Sequence, residues 1–355
     1  MFGATGKNLR RMSVYLVGRI KSSLAIGLYV EFVDRELALK RVEEWADRGT
    51  RLVQVVYGPE GCGKSTWLKQ SAELLKELGF HVIYVNPLQR EYAAYVDVKD
   101  VVRRLAEAAA ERSGVAEIRL ADLAVRLAAF LIKKKRRKIA ILADDVFQAI
   151  GVDKAASYVK WMLSVIEHPP GEYERIVAVV ATSEGATRRE IGRHAWANQY
   201  PMWNMARDGF NQLYEQIPSA GLSAEEAWRW TGGNPRMLGE LHAAGWSVEE
   251  TVRQIAEMRR LAAFAASLTA EEREWVEEAL EDPDALFTRE RLPLLERLVD
   301  LNLVVDTLPE RDARSWIDTP PPEKNGELGI GRYVAWQTPL HREAVRKTLR
   351  LATTR

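Results

Sequence analysis

The sequence predicts an α/β fold: a parallel sheet with helices on both faces, then an all-helical stretch, then a small module of helices and short strands. Three observations predict it. Short apolar runs alternate with stretches of helical spacing from residue 32 to about 207, and strands apolar on both faces belong to parallel sheets covered on both sides. From 208 to 261 the spacing is helical throughout. Residues 265–355 mix helical spacing with two short runs of strand composition.

The first element, the stretch to Arg48, is amphipathic through Leu37, Leu39, Val42, Trp45 and Ala46, with Asp34 or a neighbour available as its cap. A β-branched run at 52–57 ends at Gly58. Residues 65–78 have helical spacing through Leu68, Ala72, Leu75 and Leu78 and stop at Gly79. Strands are expected at 81–86, 139–143 and 176–181, and helices at 100–112, 120–133 and 158–167. A fifth strand at 200–205 is weakened by Pro201 and Asn204. In the last part, helices are expected at 268–280, 288–302 and 340–351 and strands at 303–306 and 333–336, around a loop holding Pro320-Pro321-Pro322 and Asn325-Gly326. No internal repeat is evident.

Composition excludes several classes. The 355 residues carry 51 Lys plus Arg against 50 Asp plus Glu, a formal net charge of +1, which argues against a protein that coats polyanions along its whole surface. One cysteine excludes an intramolecular disulfide framework and any multi-cysteine zinc site. Apolar residues at 47% support a globular chain rather than a disordered one. The most apolar N-terminal stretch, 13–30, is broken by Arg19 and Lys21, so it is not a membrane span, and it lacks a secretory cleavage site. A cytoplasmic location is the expectation. The basic N-terminal residues Lys7, Arg10, Arg11, Arg19 and Lys21 belong to an extension lying on the first domain, or to a membrane-surface or partner-binding segment.

The strongest signal is Gly58-Pro59-Glu60-Gly61-Cys62-Gly63-Lys64-Ser65, a full match to G-x-x-x-x-G-K-[ST] between an expected strand and an expected helix. Glycines let the backbone wrap a phosphate with its amides turned inward. The helix after the loop brings its positive end to the same anion. Lys64 is placed to reach the β- and γ-phosphates, Ser65 to ligate Mg²⁺, and Thr66 to line the same site. Cys62 is read as a small filler, since no basic partner is identifiable for it.

A nucleotide site needs carboxylates as well. The run Ile139-Ala140-Ile141-Leu142-Ala143 is followed by Asp144-Asp145, at the strand end where open parallel sheets bind ligands. Asp144 suits Mg²⁺ held through its water shell, and Asp145 suits orienting or deprotonating the attacking water. The bland alternative for either acid is a helix cap. A second acid points to built-in hydrolysis, unlike a simple kinase or small GTPase. Thr182-Ser183 ends the next strand, where the Thr182 hydroxyl can approach the γ-phosphate or cap a helix.

Together these residues resemble the archaeal ATPase family of STAND/AAA+ P-loop NTPases, related to origin-recognition ATPases. The carriers are Phe32-Val33-Asp34-Arg35-Glu36, the 58–65 loop, Asp144-Asp145, Gly232-Gly233-Asn234-Pro235-Arg236 and Trp336-Gln337-Thr338-Pro339-Leu340-His341-Arg342-Glu343. The resemblance spans about 32–351. It implies a P-loop NTPase core, a helical lid and a C-terminal winged-helix domain. Val33 would pack on an adenine with Arg35 beside it. Pro235 would touch the nucleotide, and Arg236 would be a lid sensor at the phosphates. Members of this kind often have Asp-Glu where this chain has Asp144-Asp145. No arginine finger can be assigned; Arg188, Arg189 and Arg193 are candidates, or form a solvated face.

The expected organisation is 1–31 extension, 32–207 ATPase core, 208–264 lid and 265–355 winged helix. The expected recognition helix, 288–302, carries Arg289, Arg291 and Arg297 but also Glu290, Glu296 and Asp300, a poor footprint for DNA. The Lys133 to Lys138 run of bases falls at the strand end opposite the nucleotide, as a solvated loop or a contact for nucleic acid or an acidic partner. The function expected is a slow, Mg-dependent ATPase switch cycling between ATP and ADP, its lid coupling nucleotide state to a winged-helix output that engages duplex DNA or a protein, with ATP-dependent homo-oligomerisation open. The alternative is an origin-recognition-type protein in which ATP controls DNA engagement; a small-molecule P-loop kinase is the least favoured reading.

Overall fold

A computed structural model describes residues 18–111, 116–183, 185–218 and 221–353. Residues 21–31, expected as part of a plain extension, form instead an antiparallel hairpin of β1 (Lys21–Ala25) and β2 (Leu28–Glu31). The core then runs α1 (Glu36–Arg48), β3 (Val53–Tyr57), α2 (Lys64–Glu77), β4 (His81–Asn86), β5 (Glu91–Tyr95), α3 (Lys99–Ala110), α4 (Ala116–Lys133), β6 (Lys138–Asp144), α5 (Val146–Ile150), α6 (Ala155–Glu167), β7 (Arg175–Thr182), α7 (Gly185–Gly192) and β8 (Ala197–Pro201). The last strand lies earlier than the expected 200–205. Pro201 is its last residue, tolerated because β8 is an edge strand, and Met202 N–H still donates to the Tyr57 carbonyl (2.7 Å).

Among the described residues the main sheet has six strands in the order β5-β4-β6-β7-β3-β8. It is parallel except for β5, which turns back antiparallel on β4 at the edge. The spacing in β5 gave no warning because each of its residues is only half-buried.

Strand side chains alternate between two cores. Val53, Val55, Ile83, Val85, Ile139, Ile141, Ile176 and Val180 pack with α3, α4, α5 and α6 on one face. Val56, Val82, Tyr84, Ala140, Leu142, Val177 and Val179 pack with α1 and α2 on the other. Burial on both faces is why these strands are near-continuous apolar runs.

Beyond the sheet come α8 (Arg207–Tyr214), α9 (Ala224–Thr231), α10 (Pro235–Ala243), α11 (Val248–Met258), α12 (Leu261–Ala266), α13 (Ala270–Glu281), α14 (Leu292–Asp300), β9 (Val304–Val305), β10 (Ala335–Trp336) and α15 (Pro339–Thr353). Ser223 with Glu226 caps α9, and Thr269 with Glu272 caps α13, each as a reciprocal capping box. The hairpin packs on this helical part: Leu28 and Val30 share a cluster with Phe210, Leu213, Ile217 and Leu238. One continuous core joins α10 and α11 to the C-terminal helices through Leu241, Val252, Ile255, Leu298 and Leu340. The C-terminal loop returns to the sheet, where Ile317 N–H donates to the Pro201 carbonyl (3.1 Å) and Trp316 is buried against Trp203.

Helix α14 starts later than expected, at Leu292, with Pro293 in its first turn. Its outer face meets α7 where Arg189 pairs with Glu296 (2.7 Å); just after β9, Asp306 pairs with Arg188 (2.5 Å), which lies over the Tyr57 ring. Arg193 pairs with Glu190 on its own helix. Each arginine weighed as a finger is therefore engaged within the chain.

Arg35 and Asp318 form a pair that is almost wholly buried on both sides. Removing one partner of a buried pair strands the other charge, at about 3–5 kcal/mol. Asp318→Ala should therefore lower the urea unfolding midpoint strongly. Arg189→Ala, which breaks an exposed pair, should cost under about 1 kcal/mol in the same measurement.

Candidate nucleotide-binding site

The 58–65 loop joins β3 to α2 at the C-terminal edge of the sheet. Registry brings Tyr57 beside Thr182 and Asp144 beside Ala181, so the ends of β3, β6 and β7 meet there. Gly58 must be glycine because a Cβ would run into the Met202 carbonyl. Gly61 has φ +77°, and a Cβ there would run into Arg236. Gly63, at φ +100°, is the residue before α2.

Lys64 is buried, and its Nζ donates to the Gly58 carbonyl (2.9 Å) and the Pro59 carbonyl (2.8 Å). Cys62 is fully buried, with Sγ 3.7 Å from Lys64 Nζ and directed at the Met202 carbonyl. It thus has the basic neighbour that sequence spacing did not reveal, in a place closed to solvent.

Asp144 is 1% exposed. Its Oδ2 accepts from Tyr84 Oη (3.0 Å) and Asn86 Nδ2 (3.1 Å). Its Oδ1 is buried with no hydrogen-bond partner among the described residues. Burial pushes its pKa above the ordinary carboxylate value, against the pull of the hydroxyls of Ser65 and Tyr84, Asn86 and the Lys64 charge. A buried orphan oxygen beside a serine hydroxyl fits Mg²⁺ or a water of its shell, which takes hard oxygen ligands. Asp145 comes next at φ +48°, its N–H held by the Ala181 carbonyl (3.1 Å), and it borders open space where Asp144 does not.

That open space is a cavity of about 630 Å³. Of the residues singled out by sequence, Val33, Arg35, Glu60, Gly61, Cys62, Gly63, Lys64, Ser65, Thr66, Asp145, Pro235 and Arg236 border it. Gly58, Pro59, Asp144 and Thr182 do not; Thr182 is buried, and Ser183 faces the cavity in its place. Sequence reasoning missed the far wall, made by Lys21 to Leu24, Val30 and Glu31 of the hairpin with Met205 and Leu213. It also missed Gln89 and Gln148 at the acidic end.

Arg35 does not present its charge to the cavity as a ligand would. It donates to Asp318 (2.8 Å), the Cys62 carbonyl (2.6 Å) and the Trp203 carbonyl (2.9 Å). Burial alone would lower its pKa, but Asp318 and Asp34 keep it above the usual value. Arg35 is therefore a tie holding the phosphate loop.

Asn234 caps α10 by accepting from Met237 N–H, and its Nδ2 donates to the Glu60 carbonyl (2.9 Å) and Asn204 (2.8 Å). The Gly-Gly-Asn-Pro run is both a helix-breaking turn and a contact with the loop. Gln337 accepts from Glu60 N–H (2.9 Å). His341, buried near Glu60, has its pKa pushed down to about 3, first by burial and then by Arg259, so it is neutral.

A family model described as an ATPase domain predominantly from Archaea matches residues 32–241. No curated protein matches the sequence. Among solved structures, the ADP form of the Aeropyrum pernix ORC2 protein is 15% identical over 90% of this chain and 94% of that one, with a TM-score of 0.41. Aeropyrum pernix ORC1 in complex with DNA is 16% identical over 97% and 96%, TM-score 0.37. AMPPCP-bound DnaA from Aquifex aeolicus is 13% identical over 81% and 87%, TM-score 0.37. These structural likenesses are loose.

A raised Asp144 pKa means that the folded state binds a proton more tightly than the unfolded chain. Stability from this group is therefore lost as pH rises from the ordinary carboxylate value through the raised one. Asp144→Asn should be at least as stable as wild type at neutral pH and should flatten that decline, read as the melting temperature across acid to neutral pH without nucleotide.

Proposed function

The chain belongs to the family of ATPase domains found predominantly in Archaea, and from that premise we propose that it is a Mg-dependent ATP-binding and ATP-hydrolysing switch. One observation carries the reading. Lys64, Ser65, Thr66, Asp145 and Arg236 converge on a single cavity, with buried Asp144, whose carboxylate feels the Ser65 hydroxyl, next to Asp145 in sequence.

In this reading Lys64 exchanges the carbonyls of Gly58 and Pro59 for β- and γ-phosphate oxygens, a stronger charge-assisted contact. Ser65, and Asp144 through a water shell, would hold Mg²⁺, which would supply positive charge to the phosphates. Asp145 orients or deprotonates the attacking water, and Ser183 and Gln148 border the same end. The hairpin and Val33 form the wall for the base. Lid helices α10 and α11 and the 265–355 module, read as a winged helix, respond together because they share one core. ATP and ADP are the ligands proposed, with duplex DNA or a protein as partner and ATP-dependent self-association open.

The second reading, ATP-controlled duplex binding, meets an obstacle in α14. The face bearing Glu296 and Asp300 lies on Arg189 of α7. These exposed carboxylates are a poor surface for a polyanion. Among the described residues no helix is long and apolar enough to cross a membrane.

Lys64→Ala should abolish nucleotide binding or turnover. Asp145→Asn should keep Mg-ATP binding and lose hydrolysis by about 100-fold or more. Phosphate release and calorimetric binding check both; normal binding and turnover in both variants would remove the site assignment. Stimulation of phosphate release by duplex DNA, lost at raised salt, would favour the second reading.

A further inference from the structure

Glu60 stands at a variable position of the phosphate loop, where the motif demands no particular side chain. Here all of its polar atoms are taken by residues beyond position 230. Its N–H donates to Gln337 and its carbonyl accepts from Asn234. Its Oε1 accepts from Arg236 Nη1 (2.5 Å), and its Oε2 pairs with Arg259. Burial would raise its pKa, but Arg259 and Arg236 outweigh burial and hold it below the usual carboxylate range. The loop proposed to cradle phosphates thus carries an anion of its own, neutralised from the lid.

The two arginines are not equivalent. Arg259 is 18% exposed and faces Glu60 from the end of α11. Arg236 is 45% exposed and borders the cavity, with its backbone N–H 3.3 Å from the Gly61 carbonyl. Arg236 Nη1 is held by Glu60 and its Nε lies 3.8 Å from Glu240, so an entering phosphate that draws this guanidinium in competes with both carboxylates. Arg259 can stay and keep Glu60 neutralised.

We propose that Glu60 is a positioning residue: it holds Arg236 on the loop and yields it only to a nucleotide whose terminal phosphate reaches that guanidinium. Only a triphosphate bears the cost of that exchange, so Glu60 blunts the lid's preference for ATP over ADP. The inference rests on the nucleotide reading of the cavity.

The test is calorimetric Kd for Mg-ATP and Mg-ADP on the full chain, wild type and Glu60→Gln, each with and without Arg236→Ala. Removing the competing carboxylate should raise the ratio Kd(ADP)/Kd(ATP) by about 5-fold, the scale of a partly exposed ion pair. In the Arg236→Ala background the same change should leave the ratio unmoved. Glu60→Asp, too short to hold both arginines, should give an intermediate ratio and guards against misfolding of the amide variant. A ratio that stays constant in both Glu60 variants, or shifts equally without Arg236, would overturn the proposal while leaving nucleotide binding intact. If wild type binds neither nucleotide, the nucleotide reading falls and this one with it.

Discussion

A buried guanidinium cannot shed its charge, so it must be surrounded by acceptors. Arg35 meets that demand with one carboxylate and two carbonyls drawn from three distant segments. The Cys62 carbonyl belongs to the phosphate loop, the Trp203 carbonyl to the chain after β8, and Asp318 to the C-terminal loop. Satisfying one charge therefore fixes the loop, the sheet end and the last module against one another.

A second layer is built on the same logic. Asn204, Asn234 and Gln337 pair with one another and with the backbone of Glu60. These groups are buried, and leaving any of them unpaired would cost its desolvation. Helix α10, the 58–65 loop and the segment around Gln337 are therefore coupled through hydrogen bonds with few alternatives. Partly exposed pairs such as Arg236 with Glu60 can be exchanged at low cost, and motion belongs there.

Much of this was legible in the sequence. The loop, the paired acids and the buried strands come from local rules: glycine at constrained backbone, acids at a strand end, apolar runs in a two-sided sheet. The Gly232 to Arg236 turn was legible as a turn, and the resemblance implied a place for it beside a nucleotide; its contact with the 58–65 loop was not legible. What stayed hidden was long-range. Residues 21–31 read as an ordinary basic segment, because a short hairpin acquires meaning only from the helices it packs on. Arg35 read as a base-side residue, because no spacing announces a partner at Asp318. Strand β5 escaped because its half-buried side chains carry no clear alternation.

The central claim is that one nucleotide site is assembled from four segments: hairpin, phosphate loop, lid and C-terminal module. Amide hydrogen exchange of the full chain with and without Mg-ATP tests it most directly. Slowed exchange is expected in the 58–66 loop together with β1 and β2, the start of α10 and residues 335–341. Protection confined to the loop, with the hairpin and the C-terminal segment unchanged, would contradict it.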